Sequence, residues 1–229
     1  YFADPNVPAL GGALRVRNVG DSLLTRMQAI EYLISMQGGK TGLAQWNLLN
    51  NISGAFGAFR RSFLQQIGGW DTHTAEDLDL TVRIKQYFKR HPDWRIPFAT
   101  LAVGHTDAPA DLKTLVLQRL RWDGDLLFLY FRKHWPAFTP KLLGTGTFIF
   151  TLLYGFLQNV LMPFVIVFYS IGIVLSYPWQ FITSISLTIY GFYFAILVFF
   201  YLMVLLAISE RLSQDLRLAI WLPLYPFYA

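Results

Sequence analysis

The chain has 229 residues, of which 54% are hydrophobic and 14% charged, with a formal net charge of +5. This length holds one domain or two small ones, and the apolar fraction is high for a soluble protein. The absence of cysteine excludes disulfides and thiolate metal sites, and no interleaved basic and aromatic patch points to nucleic-acid binding.

The chain opens on Tyr1-Phe-Ala-Asp-Pro5 with neither an initiator Met nor a signal peptide, so a preceding N-terminal portion is expected. After the Gly11-Gly12 turn, Leu14 and Val16 alternate with Arg15 and Arg17 as in a strand. A helix follows, capped by Asp21 or Ser22, with Leu23, Leu24, Met27, Ile30, Leu33 and Ile34 at helical spacing up to Gly38-Gly39. Residues 51–59 are apolar and glycine-punctuated, like a buried strand that something approaches closely. Residues 60–67 read as a short helix ending at Gly68-Gly69. Thr74 can cap the next helix, about residues 75–90, which lines up Leu78, Val82, Ile84 and Tyr87 and stops at His91-Pro92. A strand over 96–103 comes next, and Asp111 opens a long helix reaching past Trp122 toward Phe131. Strands alternating with helices predict an α/β layered domain over residues 1–141.

The remainder, residues 142–229, has a different character. Residues 142–209 contain no Asp, Glu, Lys, Arg or His. A membrane span takes about 20 mostly apolar residues, so this run holds two, at about 145–175 and 181–208. Gln158, Asn159 and Pro163 mark a kink or a protein-facing side of the first. A third apolar stretch begins near Leu218 and reads as the start of a further membrane element, with Pro223 and Pro226 breaking any ideal helix. Arg119, Arg121, Arg132, Lys133 and Lys141 precede the first span and Arg211 and Arg217 follow the second. Both flanks are therefore expected on the cytoplasmic side of a bacterial inner or plasma membrane.

Three constellations could carry chemistry. Ala75-Glu-Asp-Leu-Asp79 puts three carboxylates at a helix start. Thr74 with Asp77 fits a capping box and acids there complement the helix dipole, but one carboxylate projecting into a cleft could equally be a general base. Gln118, Arg121 and Trp122 stand at i, i+3 and i+4 and share a helix face. An amide, a guanidinium and an indole together suit a diphosphate plus a sugar, and an interfacial helix with a snorkelling Arg and a belt Trp explains them too. In Ser53-Gly-Ala-Phe-Gly-Ala-Phe-Arg60, Gly54 and Ala55 could let a ligand reach the backbone, or a packed strand could require them. His105, Asp107 and the aromatic-rich stretch 128–135 read as structural, and no His or Cys cluster has metal spacing.

Taken in order, Ser53-Gly-x-x-Gly-x-Phe-Arg60, Gly68-Gly-Trp-Asp71, Glu76-Asp-Leu-Asp-Leu-Thr81 and Gln118-Arg-x-Arg-Trp122, ahead of spanning helices, resemble the processive family 2 glycosyltransferases. That group includes cellulose, hyaluronan, chitin and poly-N-acetylglucosamine synthases. The resemblance covers about residues 1–210. It implies a partial, Rossmann-like GT-A domain that inverts the anomeric centre of a nucleotide-activated sugar, a UDP-sugar, next to a transmembrane helical segment. Asp77 matches the last residue of the family's Thr-Glu-Asp motif, the catalytic base, with Glu76 beside it. Gln118, Arg121 and Trp122 match the Gln-x-x-Arg-Trp motif, which holds the donor diphosphate and stacks on the acceptor sugar. Ala75 departs from the Thr of many members. The resemblance further implies Mg²⁺ or Mn²⁺ on an Asp-x-Asp motif upstream of Tyr1, so this chain alone is expected to be inactive. Implied partners are a nucleotide-sugar, a glycan or lipid acceptor, membrane lipids and accessory polysaccharide-export subunits. Competing readings are a non-processive family 2 enzyme with a lipid acceptor, a transporter or channel subunit, and an inactive scaffold.

Overall fold

A computed structural model describes every residue except His73. Strand β1, Ala9–Val16, is the middle of a three-stranded sheet ordered β2-β1-β3. It pairs antiparallel with β2, Gly57–Phe59, and parallel with β3, Phe98–Thr106. The β1–β3 register shifts between Gly12 and Ala13, where the Gly12 N–H donates to the Phe56 carbonyl at 3.0 Å. A Cβ on Gly12 would lie 2.3 Å from the Phe56 ring, so the loop before β2 can lie across the strand only because this residue is glycine.

Ser22 caps helix α1, Leu23–Glu31, through a reciprocal pair of hydrogen bonds with Thr25. The helix runs on through a wide π-type stretch, Tyr32–Gly39, into α2, Lys40–Gln45. Widened turns rotate the residues that follow relative to an ideal helix, and Lys40 ends only 5% exposed. After α3, Arg61–Gln66, Gly68 and Gly69 take φ of 83° and 67°, a left-handed pair that a residue with a Cβ adopts only under strain.

Helix α4, Glu76–Lys85, is shorter than the expected 75–90. Thr74 is not its cap: the N-cap is Ala75 at φ 48° with no side-chain capping bond, and the Thr74 hydroxyl donates to Asp125 of the next long helix instead. Most of the strand expected at 51–59 is also absent. The Ile52 N–H donates to Thr81 Oγ1 at 2.9 Å and the Gly54 N–H to Asp77 Oδ2 at 3.0 Å. Side chains of α4 thus take backbone donors that a sheet ladder would have used. Beneath lies a core that includes Ala13, Ile52, Phe63, Ile84, Ile96 and Phe98.

Helix α5, Leu112–Phe128, is capped by Asp111, which accepts from the Thr114 N–H at 2.9 Å. A wide turn over Leu129–Lys133, a 3-10 turn over Trp135–Ala137 and the short α6, Pro140–Leu143, lead to the apolar part. There α7, Thr145–Phe150, a π-type stretch over Thr151–Leu161 and α8, Met162–Ser176, form one continuous helix of 32 residues. Helix α9, Trp179–Ala207, has 29 residues. Both are long and apolar enough to cross a membrane, and α8 exposes Phe164, Ile166, Phe168 and Tyr169.

The chain then returns to the sheet domain through α10, Leu212–Leu218. The apolar stretch from Leu218 forms a 3-10 helix, Ala219–Phe227, containing Pro223 and Pro226, which lack the N–H an α-helix needs. Leu222 and Tyr225 pack with Met27, Ile30 and Leu33, and with Leu197 and Tyr201 of α9. Arg15 of β1, 4% exposed, lies 2.9 Å from both Glu210 Oε2 and Asp215 Oδ2. One buried guanidinium therefore ties the central strand to the segment that follows α9.

Candidate active site

The first turn of α4 faces α5 across a cleft of about 530 Å³. Seven residues singled out in the sequence line it: Gly54 and Ala55 from the loop, Glu76 and Asp77 from α4, Gln118, Arg121 and Trp122 from α5. Two further lining residues, Tyr154 and Asn159, come from the first apolar helix. The cleft therefore reaches from the sheet domain to a helix fit to cross a membrane.

Asp77 is partly exposed and receives neutral donors. Its Oδ2 accepts from the Gly54 N–H at 3.0 Å and from Asn51 Nδ2 at 3.5 Å, and its Oδ1 from the Leu78 N–H at 2.7 Å. These bonds fix the carboxylate without a cation in contact. A Cβ on Gly54 would meet Asp77 only at 3.5 to 3.6 Å, and would press at 2.8 Å on the Glu76 Oε1. The capping function that the sequence allowed for these acids is thus not performed through Thr74.

Asp79, two residues on, is fully buried and points to the opposite side of α4. Its Oδ1 lies 2.7 Å from His134 Nε2 and 2.9 Å from Lys133 Nζ, and its Oδ2 accepts from Arg83 Nε at 2.9 Å. Burial alone would raise its pKa, but the hydrogen bonds from His134 and Lys133, with the Arg83 charge, hold it well below the carboxylate range. His134 read as structural in the sequence, and that is how it is placed: it joins α4 to the segment following α5.

On α5, Arg119 is turned away from the cleft group. It donates to Glu31 Oε1 at 2.8 Å and to the Tyr228 hydroxyl at 2.9 Å, and its guanidinium lies 4.8 Å from the Trp122 ring centroid. One face of the indole is therefore braced by a fixed cation. Gln118 Oε1 is buried with no hydrogen-bond partner among the described residues. An orphaned acceptor in a cleft costs stability unless a ligand donor completes it. Lys40, Asn51 and Asp125 also shape this site. Sequence reasoning missed them, since none belongs to a motif.

No group of three or more His, Asp or Glu residues able to hold a metal ion occurs among the described residues. Asp77 is occupied by N–H donors and Asp125 by the Thr74 hydroxyl.

The family described as glycosyl transferase family group 2 matches residues 1–209. The chain belongs to this family. Among curated relatives of this family 2 glycosyltransferase chain, a probable glycosyltransferase of Bacillus subtilis is 32% identical over 120 residues, covering 52% of this chain and 27% of the relative. The poly-beta-1,6-N-acetyl-D-glucosamine synthase of Staphylococcus epidermidis strain RP62A is 28% identical over 151 residues, 66% of this chain and 35% of the relative. The synthase of the same name from Staphylococcus aureus strain COL is 33% identical over 119 residues, 52% and 28%. The glycosyltransferase chain thus aligns with about a third of the length of these relatives.

Proposed function

We propose that this chain forms the acceptor-side part of a membrane-bound, inverting glycosyltransferase that moves a sugar from a UDP-sugar onto a growing polysaccharide. The observation that carries the reading is the single cleft shared by Asp77, by Gln118, Arg121 and Trp122, and by Tyr154 and Asn159 of an apolar helix. A capping box and a membrane-interface helix would give no reason for the two motifs to meet.

In the reaction, an acceptor hydroxyl attacks the anomeric carbon and its proton passes to Asp77. The new glycosidic C–O bond forms as the C–O bond to the diphosphate breaks, the electron pair leaving with the nucleoside diphosphate, and the configuration inverts. Asp77 suits the base role because a carboxylate held by neutral N–H groups can still take a proton. Arg121 offers a fork for the diphosphate oxygens and Trp122 a flat ring for the sugar. Glu76, exposed beside Asp77 at the mouth of the cleft, adds negative charge there. Mg²⁺ or Mn²⁺, which the resemblance implies, would neutralise the diphosphate charge when bound.

By the positive-inside rule, the basic residues flanking the two apolar helices support a cytoplasmic cleft. The relatives named as poly-beta-1,6-N-acetyl-D-glucosamine synthases make UDP-N-acetylglucosamine the first donor to assay. The test is radiolabelled sugar transfer by the full-length protein in membranes, from a panel of UDP- and GDP-sugars. Asp77→Asn is expected to lower transfer by about 10² to 10⁴-fold, the usual loss of a general base. Equal rates in variant and wild type would refute the role.

A further inference from the structure

Lys40 is the cation of the cleft that no motif accounts for. It lines the same chamber as Asp77 and is 5% exposed. Among the described residues its ammonium has no hydrogen-bond or ion-pair partner, in contrast to the buried Arg15 with its two carboxylates. Burial of this side chain disfavours its charged form, and a ligand that supplies acceptors offsets that cost. Burial pulls its pKa down to about 8, against the opposing charge of Asp77, so the group keeps its proton through neutral pH.

The position of Lys40 selects the ligand. Lys40 lines the cleft together with Asp77, and Asp77 is the carboxylate whose charge it feels. The guanidinium suited to a diphosphate, Arg121, comes from a different element, α5. An acceptor saccharide placed with its hydroxyl on Asp77 brings ring hydroxyl and amide carbonyl oxygens into the cleft that Lys40 shares. An ammonium has three donors to offer them.

We propose that Lys40 is an acceptor-binding residue, donating hydrogen bonds to the sugar whose hydroxyl Asp77 deprotonates. The proposal rests on the glycosyltransferase reading above and extends it to an unassigned contact. It is tested in the full-length enzyme with Lys40→Met, using a soluble N-acetylglucosamine oligosaccharide as acceptor and UDP as competitive inhibitor. The expected result is a fall of about 10- to 100-fold in kcat/KM for the acceptor, the usual effect of losing a hydrogen bond to a charged donor. The UDP inhibition constant should stay within about twofold, and the Tm should not fall, because burial disfavours the charge that the substitution removes. Weakened UDP binding, in step with Arg121→Ala, would assign Lys40 to the diphosphate and overturn the proposal. An unchanged acceptor kcat/KM would overturn it as well. A wild-type enzyme that transfers no sugar would sink the underlying glycosyltransferase reading, and this assignment with it.

Discussion

Asp77 and Asp79 sit two residues apart on one helix and live in opposite surroundings. Asp79 is sealed behind α4 among His134, Lys133 and Arg83, while Asp77 opens on the cleft and touches only neutral donors. A carboxylate saturated by cations is held ionised and cannot serve as a base near neutral pH. One that faces solvent and substrate with spare lone pairs can. The same short sequence therefore supplies a structural anchor on one side and, in the proposed reaction, the base on the other, and alternation of helix faces keeps the two apart.

The largest effect that would break this contrast is on stability. Asp79→Ala leaves three basic side chains without their shared counter-charge, and a cost of about 3 to 5 kcal/mol is expected for breaking such a buried set. A thermal melt of the purified protein in detergent reads it as a large drop in Tm. A result within about 0.5 kcal/mol of wild type would deny Asp79 its anchoring role.

Acid should expose the same anchor. Asp79 binds its proton less readily folded than unfolded, so its contribution is fully present above the ordinary carboxylate value of 3.8 and is lost as pH falls below it. Melts between pH 6 and pH 3 are expected to show Tm falling in the lower part of that window. In Asp79→Asn this component of the fall should disappear.

A smaller effect sharpens the front of the helix. Ala75 holds φ at 48° just before Glu76, which costs a residue with a Cβ about 1 kcal/mol. Ala75→Gly should raise stability by up to that amount, less the entropy glycine loses on folding. A clear drop in Tm would mean that the methyl group makes a contact worth more than the strain.

Much of this architecture was legible in the sequence where a local signal is self-sufficient. Ser22 and Asp111 cap the helices that their spacing predicted, and Gly68-Gly69 ends a helix in the left-handed region. The charge-free run gave two long apolar helices. The motif residues of α4 and α5 also meet, as the resemblance required. What failed depended on distant partners. Residues 51–56 look like a strand until Thr81 and Asp77 claim the N–H groups of Ile52 and Gly54. Thr74 looks like a cap until Asp125 takes its hydroxyl.

Lys40 was illegible for a related reason. In Gly38-Gly-Lys-Thr-Gly42 it reads as part of a solvated turn, and only the π-type stretch Tyr32–Gly39 carries it into the cleft. The segment after α9 was hidden in the same way. Leu218, Leu222 and Tyr225 look like the start of another membrane element, yet they pack against Met27, Ile30 and Leu33, nearly the whole chain away in sequence.

The central claim is that reactivity belongs to Asp77 and anchoring to Asp79, and one paired measurement tests it directly. Sugar transfer and Tm should be determined together for Asp77→Asn and Asp79→Asn in the full-length protein. The account predicts that Asp77→Asn loses about 10² to 10⁴-fold in transfer with little change in Tm, and that Asp79→Asn lowers Tm. Transfer at the wild-type rate by a folded Asp77→Asn enzyme would contradict it.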